Sequence, residues 1–93
     1  MIRSFRDKMT ARIANRESPK GFPADLVGPA FRKLRLLDAA TEFRDLRSPP
    51  GNHLEALKDD RVGQHSIRIN DQWRVCFIWS DGDAEQVEIV DYH

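Results

Sequence analysis

The spacing of apolar side chains changes from a helical to a strand period about halfway along the chain. Within residues 6–16, Met9 and Ile13 lie four positions apart. A second set recurs at intervals of three: Phe31, Leu34 and Leu37. Both intervals place side chains on one face of a helix. The first half is therefore predicted to form two helices, the second beginning near Pro29 and ending near Ala40.

Turn-forming residues separate these elements from their neighbours. Ile2–Phe5 could form a short edge strand ahead of the first helix, and residues 18–29 contain enough glycine and proline to predict a loop between the helices. Thr41 could cap one more helical turn over Phe43–Leu46. The Ser-Pro-Pro-Gly-Asn stretch at residues 48–52 ends the helical half.

The second half alternates apolar and polar side chains with a period of two. Three runs show it, at residues 66–70, 73–79 and 87–90, and hairpin signals stand between them. His53–Leu57 could form a further strand that leads into these runs. Helices followed by an antiparallel meander predict the α+β class, in one domain that spans residues 1–93.

The register of the predicted hairpins gives the sheet two unlike faces. Matching the apolar sides requires three-residue loops at Asn70–Gln72 and Asp81–Asp83. Arg68 then lies directly opposite Arg74, and continued alternation puts Tyr92 on the same side. Two arginines in a cross-strand pair repel each other. This face is therefore expected either to bind an anion or to carry two solvated arginines.

Composition and charge narrow the class of protein. The 93 residues include one cysteine, Cys76, so the chain cannot form an internal disulfide, and no apolar run is long enough to cross a membrane. We expect a soluble, cytoplasmic protein without a membrane partner. The net charge is zero, yet residues 1–50 contain 11 Lys/Arg against 6 Asp/Glu, whereas residues 51–93 contain 4 against 9.

The basic first half has two interpretations. Lysine and arginine side chains neutralise phosphates, and this neutralisation supplies most of the non-specific affinity for nucleic acids. Alternatively, Arg32, Lys33 and Arg35 form the solvated side of the second helix. The charge pattern alone leaves both interpretations open.

Several linked segments resemble one toxin family. The stretches LKDDRVGQHSIRINDQWRVCFIW and VEIVDYH resemble the HigB branch of the RelE/ParE toxin superfamily. Within that branch, LDAATEFRDLRSPPGN and the opening MIRSF are similar to GraT-like toxins. The resemblance covers nearly the whole chain and is weakest between residues 7 and 27. It implies two N-terminal helices packed on a mostly antiparallel, twisted sheet.

The same resemblance implies a function and partners. HigB toxins of type II toxin–antitoxin systems enter the decoding site of the small ribosomal subunit and cut mRNA there. The ribose 2′-hydroxyl is the nucleophile, a cyclic phosphate is the product, and neither a metal nor another cofactor is needed. A HigA-like helix-turn-helix antitoxin binds the toxin and represses their operon, so contact with operator DNA is made through the antitoxin.

Site residues follow from the matching motifs. The resemblance assigns Arg74 of the QWR motif as the cation that stabilises the phosphate during cleavage. It assigns Asp91, Tyr92 and His93 to proton transfer and substrate positioning, and Tyr92 could instead stack on a base. RNA-binding roles fall on three further cations: Lys58, Arg61 and Arg68.

This sequence departs from the family pattern at the position of the expected general base. Many relatives read LHPLKGDR, with a catalytic histidine, whereas this chain reads LEALKDDR. Glu55 therefore stands in the histidine position, and Asp59 replaces the glycine. His53 precedes Glu55 by two residues and would share its face in an extended strand. Either residue, or neither, could act as the base.

Two alternatives to the ribonuclease remain at this point. The chain could be a non-enzymatic toxin that binds DNA gyrase, as in the ParE branch. It could also occupy the ribosomal site without cleaving mRNA, because Glu55 replaces the histidine.

Overall fold

A computed structural model describes residues 1–91, and in this range two α-helices precede a four-stranded antiparallel sheet. The helices are α1 (Lys8–Ala14) and α2 (Val27–Ala39). The strands, which neighbour each other in chain order, are β1 (Glu55–Ala56), β2 (His65–Arg68), β3 (Trp73–Ser80) and β4 (Asp83–Asp91). Short 3₁₀ helices occupy Ala24–Leu26, Phe43–Arg47, Pro50–Asn52 and Asp59–Arg61. The predicted α+β class, with two helices and an antiparallel sheet, is confirmed.

Each helix turns one stripe of side chains towards the protein interior. Helix α1 begins after Asp7, whose carboxylate accepts a 2.9 Å hydrogen bond from the Thr10 amide, a typical N-cap. The buried stripe of α2 consists of Ala30, Leu34 and Leu37. Phe31, which was predicted on this stripe, lies beside it, with the guanidinium of Arg16 4.8 Å above its ring. No helix within residues 1–91 is both long and apolar enough to span a membrane.

The first hairpin has the predicted register. Arg68 pairs with Arg74 and Ile67 pairs with Val75, across a connection at residues 69–72. The match follows from the alternation, because a slip by one residue would move every apolar side chain to the other face.

The second hairpin has the predicted pairs near its base but a different turn. Ser80 pairs with Asp83, so the turn contains two residues and the predicted three-residue loop at Asp81–Asp83 is wrong. The residue that was predicted as the third of the loop is accommodated instead by a bulge in β4. Between the pairs Cys76–Glu88 and Ile78–Glu85, β4 has two residues and β3 has one. The residue in left-handed backbone at this bulge is Gln86, with a φ of 51°. Turn and bulge compensate, and Arg74 faces Val90 as the apolar pattern requires.

The N-terminal segment covers the outer edge of β4. Ile2–Phe5 was predicted as an edge strand, but it makes two isolated parallel bridges, Ile2 with Ala84 and Phe5 with Val87. The bulge separates these bridges, and the Ser4 hydroxyl there accepts a 2.9 Å hydrogen bond from the Gln86 amide. Edge amides that would otherwise be open to another chain are thereby satisfied.

Two predictions for residues 41–57 need correction. The helical turn at Phe43–Arg47 is capped by Glu42 and not by Thr41, because Glu42 and Asp45 form a reciprocal capping box. The predicted strand at His53–Leu57 is reduced to Glu55–Ala56. His53 has left-handed backbone, with a φ of 46°, and ends the preceding 3₁₀ helix.

Thr10 provides a test of how α1 is attached to the sheet. Its side chain is fully buried, and its Oγ1 accepts a 2.9 Å hydrogen bond from the backbone amide of Ile89 in β4. We expect Thr10→Val to lower the free energy of unfolding by about 1–3 kcal/mol, because a buried amide loses its acceptor. Thr10→Ser, which keeps the hydroxyl, should lose about 1 kcal/mol, the value of one buried methyl group. Urea denaturation of both variants measures the difference, and equal midpoints would contradict this account.

Candidate active site

The guanidinium of Arg74 lies at the centre of the candidate site. Its Nε donates a 2.7 Å hydrogen bond to Ser66 Oγ, and its Nη2 donates to the carbonyl oxygens of His53 and, at 3.4 Å, Ser66. The residue is only 8% exposed. Strand alternation correctly placed Arg74 on the side of the sheet away from the core, but that side is not open. The chain around residues 50–56 packs beside β2 and brings the His53 carbonyl onto the guanidinium.

His53 enters the site through its backbone. Because residue 53 is left-handed, the segment is not extended and His53 does not share a strand face with Glu55, as an extended strand would require. His53 contacts Arg74 through its carbonyl oxygen. A substitution of its side chain that tolerates the left-handed backbone would therefore leave this hydrogen bond in place.

Glu55 brings a carboxylate to the same guanidinium. It pairs with Ser66 in the register of β1 and β2, and its Oε1 lies 4.0 Å from Arg74 Nη1. The Glu55 side chain is 53% exposed, whereas that of Arg74 is 10% exposed. The arrangement is a solvent-accessible carboxylate beside a fixed, enclosed cation. A substrate can reach the carboxylate without moving the arginine.

Arg68 occupies the neighbouring position on this face, directly across from Arg74. Its side chain is one-third exposed and forms an ion pair with Asp71 in the hairpin connection. Asp71 is almost completely exposed, and ion pairs with so exposed a partner contribute little to stability. Arg68 can therefore exchange this partner for an incoming anion at small cost.

The other two predicted RNA-binding cations differ in their surroundings. Arg61 donates hydrogen bonds to Glu88 at 2.8 Å and to Gln64 at 3.1 Å, and the bond to Glu88 raises the pKa of the guanidinium. Glu88 pairs with Cys76, two residues along β3 from Arg74, so Arg61 is bound to a carboxylate outside the Arg68–Arg74 pair. Lys58 is exposed and precedes the 3₁₀ helix that contains Arg61.

Of the three C-terminal residues predicted in the site, the structure describes Asp91. Asp91 pairs with Trp73, which puts it on the face opposite Arg74, and its Oδ2 accepts a 3.1 Å hydrogen bond from the Gln72 amide group. Tyr92 and His93 lie outside the described residues. The role of the terminal Asp-Tyr-His group stays a prediction.

Sequence reasoning missed a contact between α2 and the 3₁₀ helix at Pro50–Asn52. Lys33, on α2, donates a 2.5 Å hydrogen bond to the side-chain oxygen of Asn52. Burial and the charge of Arg68 both lower the pKa of Lys33. A sequence signal did exist, because Lys33 stands three residues after Ala30 and four before Leu37, at the margin of the buried stripe. Its neighbours Arg32 and Arg35 are exposed.

The contacts of Arg74 predict that its geometry is needed for folding as well as for chemistry. The guanidinium of Arg74 donates to Ser66 and to His53 at the same time, and the single ammonium group in Arg74→Lys cannot do so. Buried acceptors therefore lose their donors. We expect the free energy of unfolding to fall by about 1–3 kcal/mol. Arg68→Lys is the matched control and should change it by less than about 1 kcal/mol. Urea denaturation compares them, and an unchanged midpoint in Arg74→Lys would show that the fork is dispensable.

Known proteins were compared with this chain by sequence and by structure. It is 40% identical to Toxin HigB-1 of Vibrio cholerae over 85 residues, which is 90% of each chain. It is 34% identical to Endoribonuclease HigB of Proteus vulgaris over 93 residues, the full length of both. The YoeB–YefM complex from Staphylococcus aureus contains a chain of the same fold, with a TM-score of 0.62 and 16% sequence identity. The structural match covers 100% of this chain and 98% of that chain.

A family model described as the RelE-like toxin of the type II toxin–antitoxin system HigB matches residues 3–93. The match includes both helices and all four strands, and it confirms the predicted HigB branch of the RelE superfamily. Since the model spans nearly the whole chain and two HigB relatives match it at 34–40% identity, this protein belongs to the HigB family of RelE-like toxins.

Proposed function

We propose that this chain is a toxin that cleaves mRNA in the ribosomal decoding site and so inhibits translation. The observation that carries the proposal is the shared sheet face of Glu55, Arg68 and Arg74, where an accessible carboxylate lies beside the fixed guanidinium of Arg74 and the more exposed one of Arg68. Membership of a toxin family supports it, as does the name endoribonuclease given to the Proteus vulgaris relative.

Cleavage of this kind needs one base, one acid and positive charge at the phosphate. The base removes the proton of the ribose 2′-hydroxyl, the 2′-oxygen forms a bond to phosphorus, and the bond from phosphorus to the 5′-oxygen breaks. The acid delivers a proton to that 5′-oxygen, leaving a 2′,3′-cyclic phosphate and a 5′-hydroxyl. Glu55 is the base in this proposal, and Tyr92 or His93 of the terminal group supplies the acid, since Asp91 lies on the opposite face of the sheet.

The two arginines have different tasks in this scheme. Arg74 is held by three hydrogen bonds to neutral oxygens, so its charge is already oriented when the substrate arrives. Preorganised charge of this kind stabilises a transition state without a reorganisation cost. Arg68 is more exposed and holds a phosphate oxygen directly, in exchange for Asp71. Lys58 and Arg61 contact the RNA backbone further along.

The proposal includes the partners expected from the family. The substrate is mRNA bound to the small ribosomal subunit in the cytoplasm. A HigA-like helix-turn-helix antitoxin binds the chain and connects it to operator DNA. No cofactor takes part, because the basic side chains provide the positive charge and Glu55 provides the base.

Brief induction of the protein tests this function against its alternatives. New mRNA 5′ ends in phase with codons are expected within minutes, with plasmid supercoiling unchanged, because the scissile phosphate is presented by the ribosome. Altered supercoiling with intact mRNA would instead indicate a gyrase-binding toxin. Arrested translation without new 5′ ends would indicate a protein that occupies the decoding site without cutting. Either result overturns the nuclease assignment.

If Glu55 is the base, substitutions at residues 55 and 53 should have very different effects on the cleavage rate. Glu55→Gln keeps the shape but cannot accept the 2′-hydroxyl proton, so single-turnover cleavage on ribosomes should slow by about 10²–10⁴-fold. Glu55→His, which restores the family residue, should retain cleavage. The matched control is His53→Asn, which tolerates the left-handed backbone and leaves the carbonyl on Arg74 in place. Full activity in Glu55→Gln would move the base elsewhere.

A further inference from the structure

A cavity opens between the N-terminal segment, α1 and α2. Its volume is about 210 Å³, and five apolar residues line it: Ile2, Phe5, Ala14, Phe31 and Leu34. The N-terminal segment is attached to β4 by its two backbone bridges, and Phe5 stays 37% exposed although its side chain is large and apolar. The fold therefore leaves apolar surface accessible to a partner at this point.

The size of this cavity suits a protein side chain. A closed apolar cavity of about 150 Å³ holds a benzene-sized group, whereas small-molecule sites usually measure about 300–1,000 Å³. At about 210 Å³ the cavity lies between these values. One large aliphatic or aromatic side chain fits it, and its entry would remove apolar surface of Phe5 and Phe31 from water. The lining therefore favours an anchor residue of another protein.

Two guanidiniums lie at the aromatic rim of this cavity. The Cζ atom of Arg16 is 4.8 Å from the centroid of the Phe31 ring, and that of Arg35, which also lines the cavity, is 5.9 Å from it. Both arginines are exposed, and in the described part of the chain neither has a carboxylate within 4.0 Å. Asp38 also lines the cavity, but its carboxylate accepts a 2.8 Å hydrogen bond from the Ile2 amide. Two like charges at one ring therefore complement a carboxylate supplied by a partner.

The backbone of Arg16 is an independent observation. Arg16 is the second residue after α1, a position at which many helices have a glycine in left-handed backbone. It adopts this backbone with a φ of 63°, which is unfavourable for a residue with a side chain. The arginine is therefore not the best residue for ending the helix, and its contribution lies in the guanidinium that it brings to Phe31.

The combination of an apolar cavity and two cations favours a protein over a nucleic acid. An RNA backbone would contact the arginines but would not fill the apolar cavity. A protein segment with one apolar side chain and a neighbouring carboxylate satisfies both. The family of this chain is that of toxins of type II toxin–antitoxin systems, so an antitoxin is its expected protein partner.

We propose that this cavity, together with Arg16 and Arg35, is a docking site for the antitoxin. The antitoxin inserts one apolar side chain between Phe5 and Phe31 and places a carboxylate beside the two guanidiniums. This inference rests on the antitoxin partner of the proposed function and not on its cleavage reaction. It assigns two cations of the basic first half of the chain to a protein partner.

The test measures the Kd of the purified chain for the purified HigA-like antitoxin of the same operon, by fluorescence anisotropy. Ala14→Leu fills the cavity from α1 without changing a charge, and we expect Kd to rise by about 10-fold or more, as when an anchor residue loses its pocket. Arg35→Glu reverses a charge at the rim and should raise Kd by a similar factor. Arg47→Glu makes the same change at an exposed arginine outside the cavity, and this matched control should retain the wild-type Kd.

Arg16→Gly separates binding from folding. Glycine suits the left-handed backbone at residue 16, so the urea midpoint should not fall. The guanidinium beside Phe31 is lost, so Kd should rise several-fold. A loss of affinity in this variant cannot be attributed to a destabilised fold.

Several results would overturn the inference. An unchanged Kd in Ala14→Leu and Arg35→Glu would mean that the antitoxin binds another surface. An equal rise of Kd in Arg47→Glu would mean that binding depends on general electrostatics, and a rise confined to variants with lower urea midpoints would make the cavity structural.

Two further results would assign the cavity to another occupant. Slower cleavage by Ala14→Leu on ribosomes without antitoxin, at an unchanged Kd, would assign it to RNA or the ribosome. Self-association of the wild-type chain that Ala14→Leu abolishes, again at an unchanged Kd, would assign it to a second copy. Failure of the proposed nuclease would be seen separately, as a lack of cleavage by the wild-type chain, and would leave the Kd values unaffected.

Discussion

The structure around the site depends on the burial of the Arg74 guanidinium. A charge that leaves water must be compensated by hydrogen bonds, and here Ser66 and the His53 carbonyl provide them. These acceptors come from different segments, β2 and the end of the 3₁₀ helix at Pro50–Asn52. The guanidinium of Arg74 therefore connects β3 to β2 and to the segment that ends the 3₁₀ helix at Pro50–Asn52. It fixes the backbone from which Glu55 projects, and so couples the stability of this region to the geometry of its chemistry.

The sheet pairing shows how far an apolar pattern determines structure. Alternation predicted the pairs Arg68–Arg74 and Ile67–Val75, because any slip would expose the apolar set. It also predicted that Arg74 faces Val90. The pattern could not decide whether the one extra residue of β4 lies in the turn or in a bulge. A three-residue turn and a two-residue turn followed by a bulge give the same pairs near Arg74. The structure has the bulge at Gln86, where the N-terminal segment supplies Ser4 as a hydrogen-bond partner. That partner is distant in sequence, so no local pattern contains it.

In the candidate site, too, the sequence predicted what depends on neighbouring residues and did not predict contacts between distant segments. The side of the sheet on which Arg74 lies followed from alternation, but its enclosure did not, because periodicity says nothing about which loop covers a face. Lys33 and Asn52 are 19 positions apart and meet only after α2 packs beside the Pro50–Asn52 turn. The Pro-Gly-Asn sequence predicted Asn52 to be a turn residue. Its full burial comes from tertiary contacts, which the local sequence does not show. Charge and hydrogen-bond capacity were visible in the sequence, whereas their convergence was not.

Glu55 stands where the family resemblance implies a histidine, and a carboxylate suits the surroundings of this position. A neutral imidazole next to a guanidinium accepts a proton at the cost of creating a second positive charge. A carboxylate in the same place becomes neutral when it accepts the proton, and it attracts the arginine in its resting state, here across 4.0 Å. Asp59 has a φ of 58° at a position where the resemblance implies glycine, the residue that adopts this conformation without strain. At both positions this chain carries a carboxylate where the family resemblance implies a residue without negative charge.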